Sequence, residues 1–139
     1  MGLDQYAYLA AREGQYREFW EKAQYNSSSD TYTHPAGVTE PEEFATWRKH
    51  PNLQGWMSRL YYARGGQGVF NCVELELTWD DLDRLGHDIE SGAMAQLGTT
   101  GVFFGDPSDK YYRSRDLAFV QRAKAEVFIG RRVFYTSSW

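Results

Sequence analysis

The sequence predicts an α+β domain: a small, mostly antiparallel sheet that uses strands from the two ends of the chain, packed by about three helices. Three observations predict it. Residues 3–10 alternate Leu3, Gln5, Ala7 and Leu9 with Asp4, Tyr6 and Tyr8, the period of a half-buried strand. Residues 78–90 and 108–128 repeat apolar side chains at three- and four-residue spacing, the period of amphipathic helices. After Gly130, residues 131–138 read as a closing strand.

The elements follow in order. The first strand is residues 3–10, and Arg12-Glu13-Gly14 makes a turn. Residues 15–25 fit either a returning strand or a helix, since Tyr16, Phe19, Trp20 and Ala23 fall at i, i+3, i+4 and i+7. Residues 26–37 concentrate Asn, Ser, Asp, Pro and Gly and read as the longest loop. Thr39 with Glu42 three residues on resembles a capping box, and Pro41 suits a first helical turn. A helix is therefore predicted from about residue 40, with Phe44 and Trp47 on its apolar face.

Leu53, Trp56, Met57, Leu60 and Tyr61 continue a helical stripe, and Pro51 between the two predicts a kink or two consecutive helices. Gly65-Gly66-Gln67-Gly68 ends it. Residues 69–77 alternate as a strand that buries Cys72 as a small apolar residue. Thr78 then caps a helix whose first turn carries Asp80 and Asp81, both favourable at the positive end of the dipole. Leu82, Leu85 and Ile89 give that helix its core face. Residues 91–107 read as loop around Val102-Phe103-Phe104, and the last helix turns Tyr112, Phe119, Val120, Ala123 and Val127 inward.

At 139 residues the chain predicts one globular domain spanning residues 1–139, able to bury about two-thirds of its extended surface. Hydrophobic residues at 42 % and aromatics at 17 % exclude a disordered chain. A lone cysteine, no leader-like start and no window of 18 apolar residues point to the cytoplasm, without a membrane anchor. The net charge of −4 makes nucleic acid an unfavoured partner. Charge is uneven, however: residues 108–139 hold seven Lys or Arg against three acids, a local basic surface or a solvated helix face.

Taken in order, Met1-Gly2-Leu3-Asp4, Trp47-Arg48-Lys49, Phe103-Phe104-Gly105, Asp109-Lys110-Tyr111-Tyr112 and Ser137-Ser138-Trp139 resemble one family. It consists of small phage and prophage proteins that begin MGLD, carry a WRK helix and an FFFG-like segment, and end in SSW. The resemblance implies a phage accessory protein in the host-cell cytoplasm, with no established activity to transfer. Such proteins are often labelled phosphoglycerate kinase. This chain is too short for that two-domain enzyme and lacks a glycine-rich strand-to-helix loop for nucleotide phosphates. Where the family places a His in the WRK helix this chain has Gln54, and where it has an aromatic after the tyrosines this chain has Arg113; a catalytic or metal role for that His does not carry over.

No catalytic constellation is predicted. His34, His50 and His87 are far apart in sequence and in no ligand-pair spacing, so neither a metal nor another cofactor is implied. His50-Pro51 reads as a surface helix break. Cys72 lacks a triad-like setting and Ser137-Ser138 lack a glycine elbow. The remaining candidate set is aromatic and polar: Arg48, Lys49 and Gln54 as surface residues, with Phe104, Tyr111 and Tyr112. Aromatics with arginine suit a protein hot spot or stacking on a base. The expected function is binding of a host or phage protein, with a small-ligand or nucleotide pocket as the alternative and a homodimer compatible with either. An exposed apolar patch would favour the first, a concave site with convergent polar groups the second.

Overall fold

A computed structural model of the chain describes residues 2–11, 14–97 and 109–139. The sheet is built from β1 (Asp4–Ala10), β4 (Glu42–Arg48), β5 (Leu75–Leu77) and β6 (Arg132–Ser138), in the order β4-β1-β6-β5 with every neighbour antiparallel. The first and last strands thus form its centre, paired from Asp4↔Ser138 to Ala10↔Arg132. Helices α2 (Pro51–Ala63), α3 (Trp79–Ser91) and α4 (Asp109–Phe128) supply the second layer. Their apolar faces meet Ala7, Leu9, Trp47, Leu77, Val133 and Tyr135 of the sheet in one buried cluster. The α+β prediction with terminal strands and about three packing helices matches this architecture.

Several elements differ from the sequence reading. The segment after the first strand, which the sequence left open between strand and helix, takes the helical alternative as α1 (Gln15–Glu21), held by Gln15, whose side chain accepts from Ala11 N–H at 2.6 Å and donates to Thr39 O at 2.8 Å. Much of the expected long loop is a hairpin, β2 (Gln24–Asn26) with β3 (Thr31–Thr33). Its turn is formed by Asn26 Oδ1, which accepts from Ser28 N–H at 3.0 Å.

The largest correction is residues 42–48, which form a strand and not a helix. Phe44 and Trp47 are three apart, a spacing that in a regular strand would point them to opposite faces. A register shift resolves this: Ala7 faces Ala45 while the next residue, Tyr8, faces Glu43, leaving Phe44 as the extra residue of a β-bulge. Both rings then reach Phe119 of α4, Phe44 stacked at 5.4 Å and Trp47 edge-on at 4.9 Å between centroids. The WRK segment is accordingly strand-borne. Pro51 is the start of α2 and not a kink, because the first helical position needs no backbone donor.

Only Leu75–Leu77 of the expected 69–77 strand is strand. Gly68 and Cys72 both adopt positive φ, +82° and +59°, which breaks extended pairing and turns the Cys72 side chain to solvent, not into the core. The capping prediction for α3 holds: Thr78 Oγ1 accepts from Asp81 N–H at 3.3 Å and Asp81 Oδ2 accepts from Thr78 N–H at 2.8 Å. Asp81 also binds Arg84 and Arg64, the residue that caps the C-terminus of α2, tying the two helices together.

Candidate functional site

The sheet has two unlike faces, and β1 shows both. Its odd-numbered residues point toward the helices, including Gln5, which is fully buried. Gln5 Nε2 donates to Tyr135 OH at 2.8 Å and to His50 O at 3.1 Å, and its Oε1 accepts from His50 N–H at 2.9 Å. Tyr135 OH passes its own proton donation to Gln54 Oε1 at 2.7 Å. Nearby, Asp116 accepts from His50 Nε2 at 2.6 Å on one oxygen and from Trp47 Nε1 at 2.9 Å on the other.

These groups satisfy one another, as buried polar groups must. Burial pushes the Tyr135 phenol far up, so it stays a neutral donor. His50 and Asp116 are no more than about 2 % exposed, which corrects the expectation that His50-Pro51 is a surface break. Lys49 turns the chain at φ +54° while its N–H donates to Leu3 O at 2.8 Å, and the next residue, His50, is delivered into the interior. The network fixes the β4–α2 junction on the sheet, with both members of the His–Asp pair buried.

The candidate residues divide accordingly. Gln54 is 2 % exposed and belongs to this interior network, not to the surface. Arg48 and Lys49 are exposed at the end of β4, with Arg48 beside Asp4 at 3.7 Å. Tyr111 is 79 % exposed, whereas Tyr112 is buried. The Tyr112 hydroxyl donates to Arg48 O at 2.7 Å and accepts from Arg48 N–H at 3.3 Å, and Arg115 donates to Thr46 O at 2.9 Å. Tyr112 therefore closes the outer edge of β4. Arg48, Lys49, Tyr111 and Tyr112 come together at this corner; Gln54 does not, and Phe104 lies outside the described residues.

The other face carries residues the sequence reading did not single out. Tyr6 and Tyr8 on β1 face Thr46 and Glu43 of β4 on one side and Thr136 and Phe134 of β6 on the other, and directly opposed residues share a face. Tyr6, Tyr8 and Phe134 are half-buried, and α1 adds Trp20, 47 % exposed, at 6.5 Å from Tyr8. Phe19 anchors α1 by stacking on His34 at 3.7 Å. Beyond it, the hairpin displays Tyr25 and Tyr32, a cross-strand pair 5.2 Å apart and more than half exposed. The signal was present in the strand alternation: tyrosines occupied the face that in a one-sided sheet carries polar residues.

Two concavities have chemical interest. One, of about 310 Å³, lies beside this face between Tyr8, Trp20, Arg17, Glu21 and Glu74, with Cys72 at its border. The other, about 620 Å³ and open to solvent, runs along α2 and α3 past Trp56, Arg59, Arg84 and Asp88. Among the described residues no cluster of three or more His, Cys, Asp or Glu side chains could hold a metal ion, and no helix is long and apolar enough to cross a membrane. In comparisons with known proteins, no family model, no curated protein and no solved structure matches the chain.

Proposed function

We propose that this is a phage-type accessory protein that acts by binding a host or phage protein through the aromatic face of its sheet. The phage assignment rests on the resemblance of its short motifs. The binding assignment is carried by one observation: Tyr6, Tyr8, Trp20 and Phe134 sit together on the side of the sheet away from the three packing helices. Tyrosine and tryptophan supply large contact area at low entropy cost and are enriched at protein interfaces. The face mixes acids with bases, Asp4 with Arg48 and Glu76 with Arg132, which suits a protein surface better than a phosphate backbone.

Affinity capture from a bacterial host lysate tests this when run with three baits. The wild-type chain and Tyr111→Ala should retain the same protein, and Tyr6→Ser combined with Phe134→Ser should lose it. Retention by all three baits refutes the face. The alternative, a small-ligand protein, is favoured by the groove lined by Trp56, Arg59, Arg84 and Asp88, whose aromatic and charged lining suits a small polar ligand. Native mass spectrometry of gently purified protein separates the two: a small mass that leaves on denaturation selects the groove, and a bare chain selects protein binding.

A further inference from the structure

We infer that the groove beside Tyr8 receives a cationic side chain, arginine or lysine, from the bound protein. The inference rests on reading the aromatic face as a protein-binding surface and names what that surface selects. Tyr8 and Trp20 form its walls, their rings 6.5 Å apart and inclined at 71°, and aromatic faces attract cations through the ring quadrupole. Its volume of about 310 Å³ is at the small end for ligand cavities.

Charge selects the sign of the guest. Glu21 and Glu74 line the groove, and Glu43 faces Tyr8 across the β1–β4 pair. Glu40 is near enough that, after burial, Glu43 and Tyr6, it helps hold the Tyr8 phenol above its ordinary value. The one described base in the lining, Arg17, stands 3.6 Å from Glu21 and offsets a single carboxylate. A guest cation would meet Glu74, the lining carboxylate without Arg17 beside it, with its alkyl stem along the aromatic walls. An acidic guest would be repelled and a neutral one would leave those charges unanswered.

The test is an NMR titration of the full chain, following backbone amides and tryptophan indoles, with N-acetyl-arginine amide, N-acetyl-lysine amide and, as a neutral control, N-acetyl-glutamine amide. Saturable shifts of the Trp20 indole and of the Tyr8 and Glu74 amides are expected from at least one cationic compound and not from the glutamine compound. Glu74→Gln should weaken that binding about two- to fivefold, the scale of one exposed charge pair. Should that variant misfold, Trp20→Ala, at a side chain nearly half exposed, should give a comparable loss read at the Tyr8 and Glu74 amides. Equal shifts from all three compounds, no shift from any, or unaltered affinity in a folded variant overturns the assignment. Capture that depends on Tyr6 and Phe134 beside a silent titration removes the cationic guest alone; failure of both removes the binding face with it.

Discussion

The two faces of β1 invert the usual relation between polarity and burial. The inward side carries Gln5, fully buried among Tyr135, His50 and Gln54, while the outward side carries Tyr6 and Tyr8, both partly open to solvent. The interior accepts polar groups because each finds a partner, and directional partners add to the register that the buried face already specifies. The outer face keeps aromatic area that folding leaves unburied. Buried polarity here specifies the structure, and exposed apolarity is available for something else.

By that division, the largest effects belong inside. Asp116→Ala strips Trp47 Nε1 and His50 Nε2 of their acceptor and should destabilise by about 3–5 kcal/mol, the scale of breaking a buried pair, measured as a shift of the urea midpoint. Tyr135→Phe keeps the ring but leaves Gln5 Nε2 and Gln54 Oε1 each short of a partner; about 1–3 kcal/mol is expected from the same measurement.

A smaller, pH-dependent effect isolates the helical layer. Burial raises the Asp81 carboxyl, but hydrogen bonds from Thr78 and the Arg64 guanidinium outweigh it and hold it below the ordinary range. A carboxyl lowered in the folded state contributes stability that is complete above its unfolded value, about 3.9, and disappears as pH falls through the lower folded value. Wild type should therefore exceed Asp81→Asn in melting temperature at pH 6, and the gap should narrow below about pH 4. The smallest change belongs outside: Tyr6→Ser should cost about 1 kcal/mol or less, as for other partly exposed sites. A loss as large as that of Tyr135→Phe would mean that the outer aromatics are part of the core, and the contrast between the faces would collapse.

How much was legible in the sequence depends on whether local pattern or distant contact decides an element. β1, α3, α4 and β6 could be read because their periodicity and caps are local, and the two-residue alternation sets Gln5 in line with Leu3, Ala7 and Leu9. Residues 42–48 could not, because the bulge at Phe44 gives a strand the spacing of a helix. Thr39 and Glu42 then supplied a capping pattern with no helix behind it. In the candidate set, Arg48 and Lys49 are exposed as expected and Tyr112 is turned inward as its helical spacing predicts, whereas Gln54, expected at the surface, is enclosed; the groups that hold Gln54 and Tyr112 lie 81 and 64 residues away in sequence. Nothing adjacent to either residue announces such partners. His50 was misplaced for the same reason, its carboxylate lying 66 positions further on.

The pairing of β1 with β6 also sets a schedule. Gln5 meets Tyr135 across 130 residues, so a chain emerging from a ribosome can form α3 or the β2–β3 hairpin early but cannot complete the sheet until residues 132–138 have been released. Until then β1 holds only β4, one side of it lacks a strand, and Tyr6 and Tyr8 stand beside an open backbone. Non-local closure of this kind is slow and leaves nascent chains prone to mispairing. The yield of native protein should therefore respond to synthesis rate and chaperone supply more than its helices alone would suggest.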